Sequence, residues 1–205
     1  MTNKGAFAMS MMKTILAGAL AVALLGCAGK DFVRPDSATL KNGETTYAQA
    51  TERFGKPFSE GSATKNDKTV KSISYAYASL GGRPAKEGVV PARAMALYFY
   101  NDTLVGYEFL SSWAEDSTDF DESKVNQIVK GSTTRAEVVQ LFGKPSGYAI
   151  HPMIKAATGE AAVYVYMEVS GGPFTGRKTF RKQLLVTFDD KGIVTDVDFS
   201  SSGTK

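Results

Sequence analysis

Apolar and polar residues follow two different periods along this chain of 205 residues, and the two periods succeed each other twice. Apolar residues four positions apart, as at Ala50 and Phe54 or at Val138 and Phe142, predict short amphipathic helices. The residues that follow alternate with a period of two, as in 73–77, which predicts strands with one covered face. Two rounds of helices followed by strands indicate the α+β class.

An internal repeat underlies these two rounds. Segments 40–57 and 128–145 share eight identical residues at an offset of 88. Each segment contains a Ser/Thr-x-x-Glu/Gln capping box, which begins a helix. Each ends in Phe-Gly-Lys-Pro, where the glycine ends the helix in a left-handed conformation ahead of the proline. The predicted caps are Thr46 and Thr134, and the predicted terminal glycines are Gly55 and Gly143.

The repeat predicts two tandem α-α-β-β-β units, each a helix-turn-helix packed on an antiparallel three-stranded meander. We expect the first unit over 36–112, an acidic linker over 113–120 and the second unit over 121–203. The predicted strands are 70–80, 92–100 and 104–111 in the first unit, and 161–170, 179–188 and 193–200 in the second.

The N-terminal apolar segment predicts a secretory signal. Lys13 precedes about a dozen apolar residues, which is fewer than the roughly 20 that a transmembrane helix needs. The segment ends in Leu-Leu-Gly-Cys at Cys27, which resembles the lipobox of bacterial lipoproteins. That resemblance implies a signal peptide over 1–26, acylation of Cys27 with fatty acids such as palmitate, and a tether over 27–35. The alternative is a buried free cysteine after a short core helix.

Charge and cysteine content narrow the function classes. The whole chain carries a net charge of +3, and removing the predicted signal leaves 22 basic and 21 acidic residues. Such a balanced chain does not indicate a nucleic-acid-binding surface. Cys27 is the single cysteine, so no disulfide is expected. Ala28, rather than Asp, follows it, and in the lipoprotein class this favours the periplasmic face of the outer membrane.

The order helix, Gly-x-Thr-Thr, helix, Phe-Gly-Lys-Pro and three strands, behind a lipobox, resembles the BamE/SmpA outer-membrane lipoproteins. Segment 128–145 carries the closest match. The same unit in tandem is similar to the two-repeat β-lactamase inhibitor protein fold. The resemblance implies a lipid-anchored, non-enzymatic protein that binds another envelope protein in outer-membrane protein assembly or envelope maintenance. The alternative is a protein inhibitor or sensor that clamps a periplasmic target such as a hydrolase. This chain has two copies of the predicted unit, whereas the BamE/SmpA pattern has one.

Sequence motifs for catalysis are absent. His151 is the single histidine, and it lies in a predicted loop. No Ser/His/Asp motif, phosphate-binding loop or metal-ligand spacing occurs in the sequence. We therefore predict no enzyme, no cofactor and no metal site.

Basic residues in the long loop of each predicted unit are the candidate binding residues. Near a membrane such cations attract anionic lipid by about 1 kcal/mol each. The alternative is solubilising charge at hairpin tips, with Arg181 and Lys182 inside a strand and their stems covering the sheet. A second candidate surface is the strand aromatics, half of which are expected in the core. The basic candidates are Arg83, Lys86, Arg177, Lys178, Arg181 and Lys182, and the aromatic ones are Tyr98, Phe99, Tyr100, Tyr107, Phe109 and Trp113.

Overall fold

A computed structural model describes residues 31–36, 38–79, 81–172 and 176–204. Eight strands form one antiparallel sheet in which the spatial order is the chain order. Among the described residues no helix has the length and hydropathy that a membrane crossing requires. The strands are β1 Ser59–Lys65, β2 Lys68–Ala78, β3 Ala92–Tyr100, β4 Thr103–Ser111, β5 Gly147–Ala149, β6 Glu160–Gly172, β7 Gly176–Phe188 and β8 Val194–Gly203. The helices are α1 Tyr47–Phe54, the 3-10 helix Glu122–Gln127 and α2 Arg135–Phe142.

The predicted fold class of two tandem α-α-β-β-β units is wrong, because one sheet runs through both halves. The short strand β5 joins them: Tyr148 pairs with Tyr107 of β4 on one side and with Ala162 of β6 on the other. Gly147 permits this close approach, since a Cβ there would lie 1.9 Å from the carbonyl oxygen of Tyr107. The six predicted strands are confirmed within a few residues, whereas β1 and β5 were not predicted.

The helix-turn-helix prediction is also wrong, because among the described residues each half contains a single α-helix. The segment before α1 is a series of turns, and the one before α2 is a short 3-10 helix. Threonine hydroxyls take the place of helical carbonyls here: Thr45 Oγ1 accepts from the amide of Lys41 at 3.0 Å, and Thr133 Oγ1 accepts from Val129 at 2.8 Å. Such local side-chain bonds offer the backbone an alternative to a continuing helix.

The predicted positions of the ends of α1 and α2 are confirmed, although the terminal glycines have a positive φ with an extended ψ and not the predicted left-handed helical conformation. Thr46 and Thr134 are the N-caps, and both capping boxes are complete. Gly55 and Gly143 follow the last helical residues with φ of 79° and 78° and ψ of −162° and −160°. This region of backbone conformation is open almost only to glycine.

Gly143→Val is expected to lower the free energy of unfolding by about 1–3 kcal/mol, because valine is strained at this φ and ψ. No atom lies within 4 Å of a Cβ built there, so strain and not a clash is the cause. Urea unfolding followed by circular dichroism measures the change. Gly81→Val is the matched control, since its φ is outside the positive region. Equal stability of the two variants would contradict the prediction.

Both helices pack on the same face of the sheet, here called the covered face. One apolar cluster lies under α1 and includes Met95, Leu97 and Phe99. The other lies under α2 and includes Tyr164 and Leu184. Side chains at alternate strand positions supply these clusters, which agrees with the period of two in the sequence.

The opposite face of the sheet, here called the open face, is partly covered by segment 150–158. Ile154 from this segment packs with Ala161 and Val163. The amide of the Asn66 side chain fixes the segment, because it donates to the carbonyls of Pro152 at 2.9 Å and Ile154 at 2.8 Å. The expectation for the strand aromatics is confirmed: Phe99, Tyr107 and Phe109 are core residues, whereas Tyr98 and Tyr100 are half-buried on the other face.

Candidate functional site

The chain upstream of Asp31, including Cys27 and the predicted signal over 1–26, lies outside the described residues. From Asp31 onward the predicted tether packs against the covered face. The Phe32 ring meets the rings of Tyr75 and Phe109 edge-on, with centroids 6.5 and 6.2 Å apart. The Arg34 guanidinium lies 5.4 Å from the centroid of Phe109. The N-terminal segment is therefore attached to the first half of the sheet.

A buried arginine holds this segment in place. Arg93 is only 5% exposed, yet its guanidinium meets three carboxylates: Asp31 at 2.8 Å, Glu115 at 3.0 Å and Asp116 at 2.8 Å. The Arg93 guanidinium also lies 4.6 Å from the centroid of the Trp113 ring. The cluster ties the N-terminal segment and the predicted acidic linker to the start of β3.

In the second half a buried lysine holds residues 119–120 against the sheet in the same way. Lys182 is 5% exposed, and its ammonium lies 2.7 Å from Asp119 and donates to the carbonyl of Phe120. Lys86 joins the group, at 2.8 Å from Asp119 and 3.2 Å from Glu168. Burial favours the neutral acid, but hydrogen bonds from Lys182 and Lys86 hold the pKa of Asp119 below its usual range.

The two clusters use equivalent residues. Asp31-Phe32 and Asp119-Phe120 lie 88 residues apart, which is the offset of the sequence repeat. In each pair the carboxylate meets a buried cation and the ring packs on a core tyrosine, Tyr75 or Tyr164. Sequence reasoning missed both clusters, although the recurring Asp-Phe dipeptide at the known offset was a signal for them.

The six basic candidates do not form one patch. Lys182 is buried against Asp119, whereas Lys86 pairs with Asp119 and Glu168 although its side chain is 42% exposed. Arg181 lies on the open face, 3.7 Å from Glu108, which also accepts a hydrogen bond from the Tyr98 hydroxyl at 3.3 Å. The remaining three candidates are exposed; they are Arg83, Arg177 and Lys178.

These three exposed cations lie at one end of the sheet. Arg83 belongs to the loop between β2 and β3, and that loop contacts the end of β6: Val90 donates to the carbonyl of Val169 at 2.9 Å. Arg177 and Lys178 begin β7, directly beside that end of β6. Asp31, bound to Arg93 at the start of β3, lies at the same end. The chain therefore enters the described structure near its exposed basic loops.

A groove of about 710 Å³ lies between the N-terminal segment and the end of α1. Such a volume is typical of small-ligand or side-chain pockets. Its walls include Phe54, Phe58 and Met95, and Phe58 is 48% exposed although it is a large apolar side chain. At its inner wall the hydroxyl of Tyr75 donates to the carbonyl of Gly55 at 3.0 Å, and burial raises the pKa of Tyr75 to about 12.

The cations of the groove are Arg34, Arg53 and Lys56. The Nε of Arg34 is buried and has no hydrogen-bond partner within the described residues. Burial lowers the pKa of Arg34, and the nearby Asp116 opposes that effect. Of the two acids in the groove, Asp31 is paired with Arg93. Within the described ranges no three His, Cys, Asp or Glu side chains converge as a metal site.

Comparison with known proteins relates the second half of the chain to a family. Residues 118–198 match the family model of the outer membrane protein assembly factor BamE domain. The match supports the BamE/SmpA-like resemblance that segment 128–145 indicates. Searches of the curated proteins and of the solved structures gave no significant match. The tandem duplication and the likeness to the β-lactamase inhibitor protein stay predictions.

Proposed function

We propose that this chain is a lipid-anchored, non-enzymatic protein of the periplasmic face of the outer membrane that binds another envelope protein during outer-membrane protein assembly. The observation that carries the proposal is the match of residues 118–198 to the BamE domain. The lipobox ending at Cys27 supports the anchor. The two ion clusters and the apolar cores stabilise a binding scaffold, and no step of the proposal needs a catalytic group.

Affinity purification from detergent-solubilised membranes tests this proposal. We expect the tagged chain to recover subunits of the barrel-assembly machine and to fractionate with outer membranes. Cys27→Ser is the control for the anchor, because it removes the acylation site and should stop lipoprotein processing and fractionation with the outer membrane. Recovery of a soluble hydrolase as the sole partner would contradict an assembly role. Unchanged fractionation of Cys27→Ser would contradict the lipid anchor.

The alternative function, a protein inhibitor or sensor, is supported by the open face. Small residues of β2 and β3, such as Ser74, Ala94 and Ala96, leave this face flat, and Tyr98 and Tyr100 flank them. Rigid tyrosines beside a flat surface are typical of protein interfaces. In this alternative a single target protein would cover the open face.

Contact with anionic lipid is a further part of the proposal. Cys27 precedes Asp31 by four residues, a reach of about 15 Å when extended, so an anchor at Cys27 holds the basic end of the sheet near the membrane. Neutralising three cations there removes about 1 kcal/mol of attraction each. The cations are Arg83, Arg177 and Lys178.

The triple variant Arg83→Gln, Arg177→Gln and Lys178→Gln is expected to weaken binding to anionic liposomes by roughly tenfold or more in low salt. Flotation of the chain from Ala28 onward, without the apolar signal and without Cys27, measures this in the absence of the anchor. The matched control is Lys41→Gln, Lys65→Gln and Lys68→Gln, three exposed lysines at the other end of the sheet. Equal recovery of the unaltered domain on neutral and anionic liposomes would contradict lipid contact.

A further inference from the structure

The groove beside α1 exposes two apolar side chains that packing does not require. Within the described residues four large apolar side chains are exposed, and two of them, Val33 at 70% and Phe58 at 48%, line this groove. At the repeat offset of 88 residues they correspond to Asp121 and Ser146. The second half packs its helix on the sheet with polar residues at both positions, so the fold does not explain why Val33 and Phe58 are apolar.

Cations flank the two apolar side chains. Arg53, in the last turn of α1, and Lys56 line the same groove, and both are exposed. The stems of such side chains cover apolar surface while their charges extend outward. Exposed apolar side chains beside cations are typical of protein surfaces that lie in the interface of a membrane. Val33, Arg53, Lys56 and Phe58 are here called the rim.

The predicted anchor brings the rim to the membrane. Val33 follows Cys27 by six residues, and a fully extended chain of that length spans about 20 Å. Asp31 is fixed to the buried Arg93 at 2.8 Å, so this distance cannot grow without breaking that ion pair. A small folded domain is about 30 Å across, so it does not fit between Val33 and the anchor. Lipid is therefore the favoured neighbour of the rim.

The rim lies toward the basic end of the sheet. Behind it the Tyr75 hydroxyl donates to the carbonyl of Gly55 at 3.0 Å. Tyr75 is closer to the end of β2 at Ala78 than to its start at Lys68, and the loop with Arg83 follows that end of β2. The rim and the exposed basic loops can therefore contact one membrane surface together.

We propose that Val33 and Phe58 insert into the lipid bilayer beside the anchor, among the upper parts of the acyl chains, while Arg53 and Lys56 extend to the head groups. The inference rests on the lipid anchor of the proposed function and deepens its lipid contact, because the insertion of apolar side chains needs no anionic lipid. It holds whether or not the chain assists barrel assembly.

Quenching of tryptophan fluorescence by brominated lipids tests the insertion. The protein is the chain from Cys27 onward, coupled through its single cysteine to a maleimide lipid in neutral phosphatidylcholine vesicles, so the anchor is supplied chemically. Phe58→Trp places a reporter at the rim, and Val139→Trp, at a position of α2 that is 40% exposed, is the matched control. The emission of the unaltered chain, from Trp113 alone, is subtracted.

Bromine in the upper acyl chains is expected to reduce the emission of Phe58→Trp at least twofold and to leave that of Val139→Trp unchanged. The quenching should persist in 1 M salt, where exposed charges are screened within about 3 Å. Adding Val33→Asp to Phe58→Trp should remove at least half of the quenching, because a carboxylate is costly among acyl chains. Ala48→Asp, at the exposed start of α1, is the control for the added charge.

Three outcomes would overturn the proposal. The first is equal quenching of Phe58→Trp and Val139→Trp, and the second is quenching that Val33→Asp does not change. The third is no quenching of Phe58→Trp when a bound protein shields it, which would assign the rim to a protein partner. Because the anchor is supplied chemically, failure of the proposed function is distinguishable: natural Cys27 would then not be acylated, while Phe58→Trp would still be quenched.

Discussion

Arg93→Met is expected to lower the free energy of unfolding by about 2 kcal/mol, because it removes the charge-assisted hydrogen bonds to three carboxylates and leaves Asp116, the least exposed of them at 17%, without its cation. The guanidinium is 5% exposed and serves Asp31, Glu115 and Asp116 at once. Methionine keeps the apolar stem over Trp113 but leaves the carboxylates facing each other. Urea denaturation, with linear extrapolation of the unfolding free energy, measures the loss.

The second half provides a matched control for Arg93. Arg135 also lies over an aromatic ring, at 4.5 Å from the centroid of Phe188, and pairs with Glu160 at 2.8 Å. Its side chain is 38% exposed, so Arg135→Met should cost less than about 1 kcal/mol. Arg93→Met should also free the N-terminal segment, which limited proteolysis near Asp31 detects. If both variants lose equal stability, the Arg93 cluster does not fasten the segment.

Local chain signals predicted where α1 and α2 begin and end. The capping boxes at Thr46 and Thr134 and the glycines at Gly55 and Gly143 act within a few residues, so their effect can be read from the sequence. The periodic strands were also located, because burial of one face imposes a period of two over long segments. Both signals arise from the residues that form the element.

The sequence does not show that the two halves join into one sheet. Strand β5 is three residues long, Gly147–Ala149, which is too short to show a period. Its pairing depends on the close approach that Gly147 allows to Tyr107, a contact between distant parts of the chain. Strand β1 is a largely exposed edge strand without an apolar face. The sequence repeat therefore predicted two separate sheets, whereas the backbone forms one.

The candidate site was predicted in part. The basic loops were identified by composition, but composition does not show whether a charge is paired. Alternation along β7 places Arg181 and Lys182 on opposite faces, and Lys182 meets Asp119 on the covered face. The groove beside α1 was missed, because it depends on how the N-terminal segment packs against α1, which are distant contacts that no local pattern shows.

Asp119→Asn is expected to lower the free energy of unfolding by about 3 kcal/mol at neutral pH, because Lys182 is then buried without a carboxylate. Lys182 is 5% exposed, and in the variant it meets only neutral acceptors, the carbonyl of Phe120 and the amide oxygen of the new asparagine. The matched control is Asp196→Asn, since Asp196 pairs with Lys130 where both side chains are more than half exposed. That variant should cost less than about 1 kcal/mol.

Lowering the pH should destabilise the unaltered chain as Asp119→Asn does, because acid protonates the Asp119 carboxylate. The pKa of Asp119 is lower in the folded protein than its ordinary value of 3.8, so its ionised form stabilises the fold above that pH. This contribution disappears as the pH falls from 3.8 through the folded pKa. The stability difference between the unaltered chain and Asp119→Asn should therefore be constant at neutral pH and vanish in acid. A difference that persists unchanged below the folded pKa would show that the asparagine acts through packing.

A double variant separates the ion pair from its surroundings. Combining Asp119→Asn with Lys182→Met removes both charges, and a buried pair replaced by apolar groups often costs little or nothing. We expect the double variant to be more stable than Asp119→Asn alone, with a coupling energy above about 1 kcal/mol in the double-mutant cycle. Additive losses would mean that Asp119 and Lys182 stabilise the fold independently. Coupled losses would mean that the Asp119–Lys182 pair holds residues 119–120 against β7. The Asp31–Arg93 pair holds the N-terminal segment against β3 in the same way.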